Sequence, residues 1–195
     1  MNGLAALVLA GGQARRMGGR DKPLLELAGQ SMLGRIIAVL SRDTERIAIS
    51  ANGDPARFAA FARPVLDDGA FAGQGPLAGV LAGLDWAAGL GAEVLLTVPG
   101  DTPLIPVGLA GALAPAPATA TSGGRVHHLV ALWPVAARAR LRRMLSEPGS
   151  RGVAHFGAAV GTRFVDFPLL PCDPFLNVNT VADLAAARAI MEGGT

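Results

Sequence analysis

The chain has 195 residues, of which 51% are hydrophobic and 16% charged, a balance that excludes a disordered polyelectrolyte and suffices for one compact core. The formal net charge is only +2 and no long basic run occurs, so we expect small anionic partners and no binding to nucleic acid. The single cysteine, Cys172, cannot close an intramolecular disulfide, which fits a cytoplasmic protein. The apolar stretch from Leu4 to Ala10 is too short for a membrane span and has no basic residue before it, so we expect a buried strand and no membrane association.

Strands and helices are predicted to alternate along the first half of the chain. The continuous apolar run 4–9, which ends in Gly-Gly, is typical of a parallel strand buried on both faces. Ser31 is placed to cap a helix, because apolar residues recur at helical spacing from Leu33 to Leu40. The next elements are predicted in the same way, as strands at 47–51, 64–66 and 93–98 and a helix at 77–88.

The second half continues the alternation with less regular spacing. A short helix and then a strand near 118–121 are predicted within the Ala- and Pro-rich stretch 106–124. The remaining predictions are a strand at 128–133, a helix at 134–145, a strand at 162–167 and a helix at 180–191 with a Thr180/Asp183 capping pair. With no linker and no repeat, the whole chain, 1–195, is expected to be a single domain. The pattern predicts an α/β fold, a three-layer α/β/α sandwich around a Rossmann-like, mostly parallel sheet, with its ligand at the carboxyl ends of the strands.

A glycine-rich loop follows the first strand and reads LAGGQARRMGGRDK from Leu9 to Lys22. Glycines let the backbone approach phosphate closely and aim successive amides at it, while Arg16 and Lys22 add positive charge. The loop matches neither the Walker A pattern nor the dinucleotide fingerprint. Lys22 is the only lysine beside 16 arginines, and a compact ammonium serves phosphate differently from a planar guanidinium. The loop therefore predicts a triphosphate cradle, with a plain surface turn as the alternative.

An aspartate follows the strand predicted at 93–98. Asp101 comes after Pro99-Gly100 and before Thr102-Pro103, at the edge of the sheet where ligands bind. A carboxylate there is a hard oxygen ligand suited to Mg²⁺, which keeps several waters and bridges substrate phosphates. Asp101 is thus predicted to hold Mg²⁺, the alternative being an aspartate that only forms a turn.

Two further polar groups are predicted to contact the substrates. Asp68 follows the strand at 64–66, and its carboxylate suits the adjacent N–H donors of guanine, with the Gly75-Pro76 turn keeping the pocket wall close. Asn177 and Asn179 alternate in an extended segment, so both amides should point to one face, near phosphate or metal-bound water. An acidic turn and Asx turns are the respective alternatives.

The histidines and the second half's arginines give weaker indications. His127 and His128 are adjacent, so a strand would send them to opposite faces, one packed and one near an acceptor pocket. Four arginines are predicted to form a solvated helix face, the alternative being contact with an anionic acceptor or a partner protein. They are Arg138, Arg140, Arg142 and Arg143.

These motifs together resemble the molybdenum cofactor guanylyltransferases. The resemblance covers nearly the whole chain through the loop, the blocks GPLAG at 75–79, DTP at 101–103 and FLNVNT at 175–180. The loop alone would indicate only the wider nucleotidyltransferase superfamily. The resemblance implies Mg²⁺ at Asp101 and a GTP site that also includes Asp101. The other GTP-binding residues that it implies are Leu9, Ala10, Gly11, Lys22 and Asp68. Gly12 and Gly75, which belong to the quoted motifs, are expected to line the same site. The resemblance also implies a contact from an asparagine just after the second strand. In this chain Ser50 is the closest position by spacing, and Asn52 lies two residues further on.

The implied reaction is transfer of GMP from GTP to the terminal phosphate of molybdopterin, with release of pyrophosphate. Arg16, Lys22 and Asp101 are the expected catalytic residues, and Asn177 and Asn179 are expected on the acceptor side. The alternatives are cytidylyl transfer to molybdopterin, nucleotidyl transfer to a sugar phosphate, and a non-catalytic GTP-binding protein that delivers cofactor. We expect a monomer that contacts other cofactor-biosynthesis proteins and recipient molybdoenzymes transiently.

Overall fold

The computed structural model describes residues 3–11 and 21–193. The strands in these ranges are Leu4–Leu9 (β1), Glu26–Leu27 (β2), Gln30–Ser31 (β3), Ile47–Ser50 (β4), Val65–Leu66 (β5), Val94–Pro99 (β6), Ala118–Ser122 (β7), Arg125–Pro134 (β8) and Arg163–Phe167 (β9). The α-helices are Met32–Leu40 (α1), Pro76–Gly89 (α2), Leu109–Leu113 (α3), Arg138–Ser146 (α4), Val153–Ala159 (α5) and Val181–Met191 (α6). Short 3₁₀ turns occupy Lys22–Leu24, Pro55–Phe61, Gly69–Phe71 and Val135–Ala137.

Within the described residues, seven strands form the main sheet in the order β5-β4-β1-β6-β8-β7-β9. The strand β1 lies parallel to both β4 and β6, and β4 lies parallel to β5. The strand β8 is antiparallel to β6 and to β7, since a tight turn at Gly123 and Gly124 (φ +53° and +77°) connects β7 to β8. The carboxyl ends of β1, β4, β5 and β6 consequently meet at one edge of the sheet, as the mostly parallel prediction required.

Every residue of β1 is buried, because helices cover both faces of the sheet. Leu4, Ala6 and Val8 belong to one core cluster, which includes buried residues of α1 and α3. Leu7 and its alternate neighbours belong to the opposite cluster, with buried residues of α2, α4 and α5. A strand that buries both faces is the expected centre of a parallel sheet. The predicted three-layer α/β/α sandwich is confirmed.

The helix starts follow from local side-chain chemistry. Ser31 Oγ accepts a hydrogen bond from the Gly34 amide (3.1 Å) and so caps α1, as predicted. Thr180 and Asp183 form the predicted capping box at the start of α6. The helix α2 starts with Pro76 at its first position, where a missing N–H is harmless.

Several element predictions were wrong in their bounds or were missing. The helix predicted at 134–145 is a 3₁₀ turn at Val135–Ala137 followed by α4, because β8 continues to Pro134. The strand β8 also begins three residues before the predicted start, since the glycine turn opens it directly. The helix α5 and the β2–β3 hairpin were not predicted, because seven residues and two-residue strands are too short to display a period.

The helix α6 packs on the hairpin rather than on the sheet. Leu27, Met32, Val178 and Ala187 form a separate small buried cluster there. This packing holds the segment before α6 close to the edge where β1 and β6 end. None of the helices in ranges 3–11 and 21–193 is long and apolar enough to cross a membrane.

Candidate active site

A lysine, an aspartate and an asparagine from three distant motifs meet at the carboxyl edge of the sheet. Lys22 Nζ donates to Asp101 Oδ2 at 2.7 Å and to Asn179 Oδ1 at 2.6 Å. The lysine side chain is only 12% exposed and the aspartate side chain 26%. Partial burial strengthens a charged pair relative to one in open water, so this cluster is held firmly.

The turn after β6 fixes the position of Asp101. The Gly100 amide donates to Leu9 O at 2.9 Å, and a side chain at Gly100 would meet Pro23 Cγ at 3.1 Å. Thr102 Oγ1 closes the turn on Pro99 O at 2.6 Å. The glycine therefore lets the Asp101 turn, the end of β1 and the turn carrying Lys22 approach closely.

The segment before α6 is tied to the same turn. The Val178 amide donates to Asp101 O at 2.8 Å, which places Asn179 beside Lys22. Asp183 Oδ2 accepts from the backbone amide of Asn179 at 2.8 Å. This bond, with those from Thr180, holds the pKa of Asp183 below its ordinary value.

The described part of the predicted loop begins at the end of β1. The Ala10 amide donates to Ser50 O at 2.9 Å, which extends the parallel ladder to the site edge. Leu9 and Gly11 flank it there. Gly12 and Arg16 lie outside the described residues. The predictions on those two residues remain predictions.

Asp68, the candidate guanine-binding residue, is hydrogen-bonded to Asn52. Asn52 Nδ2 donates to Asp68 Oδ2 at 2.6 Å, and the Asp68 amide donates to Asn52 Oδ1 at 3.0 Å. Ser50 and Asn52 were the two positions considered for a further nucleotide contact. Ser50 is only 3% exposed, whereas Asn52 is exposed, so Asn52 is the one that is open to a ligand. Gly75 adopts φ +80° just before α2, a conformation that suits glycine and sets where the helix starts.

Arg57 is a site residue that the sequence did not indicate. Its Nη1 lies 3.0 Å from Asp21 Oδ1, and its Nη2 donates to Asn52 O at 2.6 Å. It thus joins the chain next to Lys22 to the turn that carries the base-reading pair. No motif surrounds Arg57, so the sequence offered no signal for this bridge.

A cavity of about 410 Å³ lies beside the cluster of Lys22, Asp101 and Asn179. Its walls come from β8, from Pro99 at the end of β6, from the start of α5 and from Asn177. Arg125 and His128 add polar groups to a lining that is otherwise largely apolar. Neither Arg125 nor the α5 wall was identified from the sequence, because only the fold brings them beside Asn177.

His127 also borders the cavity but is the packed histidine of the pair. It is 8% exposed, and its ring lies 4.9 Å from that of Phe175. Burial lowers the pKa of His127 below its ordinary value, although the Asp173 carboxylate opposes this effect. His128 is half-buried.

The predicted arginine face is confirmed as solvent-exposed. All four arginines of α4 are exposed. Two of them lie near one carboxylate of the neighbouring helix, Asp85, at 3.9 Å for Arg138 and 2.5 Å for Arg142. These contacts join α4 to α2 and do not face the site edge.

The metal-binding potential of the site rests on Asp101. Across residues 3–11 and 21–193, no group of three or more His, Cys, Asp or Glu side chains is arranged to hold a metal ion. Mg²⁺ in nucleotide enzymes commonly uses one or two carboxylates and completes its shell with substrate phosphates and water. A lone carboxylate beside a predicted phosphate cradle fits that mode of binding.

Comparison with known proteins identifies the family. The model of the MobA-like NTP transferase domain matches residues 6–160. The chain is 56% identical over 186 residues to a molybdenum cofactor guanylyltransferase of Acidiphilium cryptum, covering 95% of this chain and 94% of that protein. It is 47% identical over 194 residues to one from Rhodopseudomonas palustris (strain BisB5), covering 95% and 92%.

The fold is similar to that of a solved structure as well. Molybdopterin-guanine dinucleotide biosynthesis protein A from Archaeoglobus fulgidus has a TM-score of 0.71 to this chain at 20% identity, covering 97% of this chain and 99% of that one. The matching domain and the relatives together confirm the family resemblance that the motifs indicated. The chain belongs to the MobA-like NTP transferase family.

Proposed function

We propose that this protein transfers GMP from GTP to the terminal phosphate of molybdopterin and releases pyrophosphate. The observation that carries the proposal is the convergence of Lys22, Asp101 and Asn179, from three separate motifs, within hydrogen-bond distance. The cluster lies at the sheet edge where α/β proteins bind ligands. The names of the relatives, molybdenum cofactor guanylyltransferase, support the same reaction.

The nucleotide is assigned to the side of the site formed by the end of β1. Gly11 and Gly12 supply backbone amides to the phosphates, and Lys22 supplies charge. Leu9 and Ala10 line the nucleotide site at the end of β1, where the Ala10 amide is already bonded to Ser50 O. The guanine lies against Gly75 and Asp68, whose carboxylate accepts from N1 and N2. Asn52 supports this role because it hydrogen-bonds Asp68 and so orients the carboxylate.

The acceptor is assigned to the other side of the cluster. Asn179 and Asn177 belong to one segment, and Asn177 also lines the cavity. A pterin is a flat heterocycle with polar edges, which suits apolar walls with a few polar groups. Arg125, at the cavity wall, matches an anionic part of the acceptor.

Mg²⁺ is the cofactor that we assign to Asp101. When bound there, it would neutralise charge on the triphosphate and on the departing pyrophosphate. Lys22 and Arg16 are assigned the same task from the protein side. To do so, Lys22 exchanges its present partners, Asp101 and Asn179, for phosphate oxygens.

The chemistry needs no protein nucleophile. An oxygen of the acceptor's terminal phosphate attacks the α-phosphorus of GTP in line, and the bond from the α-phosphorus to the bridging oxygen breaks. The bridging oxygen leaves with pyrophosphate. The acceptor phosphate is already ionised at neutral pH, so the protein's contribution is positioning and charge stabilisation. This explains why the site contains a lysine, a carboxylate and amides.

Substrate competition tests the proposal against its alternatives. Pyrophosphate release should be fastest with GTP and molybdopterin together and slow when CTP replaces GTP or a sugar phosphate replaces molybdopterin. Faster release with CTP would favour a cytidylyltransferase. Tight GTP binding without release would favour a non-catalytic delivery protein.

We further assign the protein to the cytoplasm as a monomer that meets its partner proteins transiently. The single cysteine, Cys172, which cannot form an intramolecular disulfide, supports the cytoplasmic assignment. Light scattering during size-exclusion chromatography tests the monomer assignment, and a stable dimer would contradict it.

A further inference from the structure

A partly buried polar network links the cavity wall to the segment that carries the two site asparagines. Ser122 ends β7 and His127 lies in β8, while Asp173 begins the turn that leads to Asn177 and Asn179. Ser122 Oγ lies 2.7 Å from His127 Nε2 and 2.8 Å from Asp173 Oδ1. Ser122 is 2% exposed and His127 8%, so the bond between these two side chains is closed to water, whereas Asp173 is half-buried.

Proton counting fixes the direction of each bond. The carboxylate of Asp173 only accepts, so the single hydroxyl proton of Ser122 goes to Asp173. Ser122 must then accept from His127, which requires the proton of the neutral imidazole on Nε2. The three groups form one directed chain of hydrogen bonds, from His127 through Ser122 to Asp173.

The same carboxylate shapes the following segment. Asp173 Oδ1 also accepts from the Phe175 amide at 2.9 Å. The Phe175 ring is fully buried and lies 4.9 Å from His127 and 5.0 Å from Phe167. Three residues later, the Val178 amide is bonded to Asp101 O. The segment is therefore anchored to the sheet at one end and to the active-site turn at the other.

We infer that Ser122, His127 and Asp173 are positioning residues that set Asn177 and Asn179 against the reacting phosphates. The inference rests on the proposed function, because it uses the assignment of these asparagines to the acceptor. His127 borders the cavity, whereas Ser122 and Asp173 are not part of its lining, so these two residues act through the segment and not by touching the acceptor. Loosening the segment should weaken use of the acceptor far more than binding of GTP.

A pair of variants at one position separates positioning from general stability. Asp173→Ala removes the acceptor oxygen, whereas Asp173→Asn keeps an oxygen for Ser122 and for the Phe175 amide. We expect Asp173→Ala to raise KM for molybdopterin or lower kcat by about 10-fold, since small misplacements of substrate carry penalties of this order or larger. GTP affinity, measured without acceptor, should change less than about twofold because no GTP-binding group moves. Asp173→Asn should behave like the parent protein.

Equal losses for GTP and molybdopterin in Asp173→Ala, or unchanged kinetics, would overturn the inference. If this variant does not fold, Ser122→Ala removes only the bridging hydroxyl and should show the same selective loss. Failure of the parent protein to transfer GMP at all would instead reject the proposed function.

Hydrogen exchange decides the inference independently of the reaction. In the substrate-free protein, amides in residues 173–179 should exchange at least about 10-fold faster in Asp173→Ala, or in Ser122→Ala, than in Asp173→Asn, because the anchor at one end is lost. Exchange that is equal in all variants would show that the network does not hold the segment.

Discussion

Lys22 Nζ lies 2.7 Å from Asp101 Oδ2, which joins two residues that are 79 positions apart in the chain. The same ammonium also contacts Asn179, on the segment assigned to the acceptor. In the absence of substrate, the Asp101 carboxylate compensates the charge of Lys22, and the neutral Asn179 side chain accepts a hydrogen bond from it. This one side chain therefore lies between the proposed metal ligand and the proposed acceptor side, where a triphosphate would need positive charge.

Replacing Lys22 tests whether a compact ammonium is required. We expect Lys22→Ala to lower kcat by about 100-fold or more, which is typical for loss of a group that stabilises transition-state charge. Lys22→Arg should also lose most activity, since a planar guanidinium cannot take the place of a compact ammonium at the phosphates. Steady-state pyrophosphate release measures both variants. Arg140→Ala, on the exposed face of α4, is the control and should keep parent activity.

Asp68 is expected to select guanine. Asp68→Asn should raise KM for GTP by about 10- to 100-fold, since hydrogen bonds to a charged group contribute about 1.5–3 kcal/mol. Asp67→Asn is the matched control, because within ranges 3–11 and 21–193 Asp67 Oδ1 accepts from the Gly69 amide alone, and asparagine keeps this oxygen. Equal effects of the two substitutions would contradict the assignment.

The sequence predicted those features whose cause is local. Ser31 and Thr180 announce helix starts because their hydroxyls cap amides three residues away. The burial of β1 could be predicted because every residue in the run 4–9 is apolar. The sequence also indicated that the loop ending at Lys22 and the turn at Asp101 would lie at the same edge of the sheet, since each follows a predicted strand, and their side chains do meet there. The catalytic roles of both residues remain predictions.

Features that depend on long-range contacts were not predictable. Arg57 joins Asp21 to the Asn52 turn over 36 and 5 positions, with no pattern around it. Ser122 and Asp173 meet across 51 positions because β7 pairs with β9, with Ser122 opposite Phe167, and Asp173 follows β9. Such pairs follow from how the elements pack and not from any spacing in the sequence.

Gly83 is predicted to be necessary for the close packing of α2 against the sheet. A Cβ added at Gly83 would lie 2.5 Å from Leu7 Cδ2 and 3.0 Å from Leu95 Cδ2, both fully buried. Gly83→Ala should therefore lower the free energy of unfolding by about 1–3 kcal/mol, although alanine favours helix. Gly89→Ala, in the same helix with open space around it, should instead raise it by up to about 1 kcal/mol. Urea unfolding measures both, and a stabilising Gly83→Ala would contradict the packing.

The buried His127 should make stability depend on pH. Burial lowers its pKa in the folded protein below the ordinary value of 6.5, so the unfolded chain binds this proton more readily. The free energy of unfolding should then be highest above pH 6.5 and should fall as pH drops through 6.5 towards the folded-state pKa. Urea unfolding at about pH 7.5 and about pH 5.5 measures this change.

Two variants attribute the pH effect to its source. His127→Gln should reduce the decrease in unfolding free energy between the two pH values, because the titrating group is gone. His155→Gln, at an exposed position of α5, should leave it unchanged. An identical decrease in the parent protein and in His127→Gln would rule out His127 as its origin.

The product of the reaction tests the central claim most directly. The protein is incubated with GTP, Mg²⁺ and molybdopterin, and the products are separated and analysed by mass spectrometry, with Asp101→Ala as the inactive control. We predict a species with the mass of GMP joined to molybdopterin, together with pyrophosphate, that is absent with Asp101→Ala. Unreacted GTP and molybdopterin with the parent protein, or the joined species formed equally by Asp101→Ala, would contradict the account.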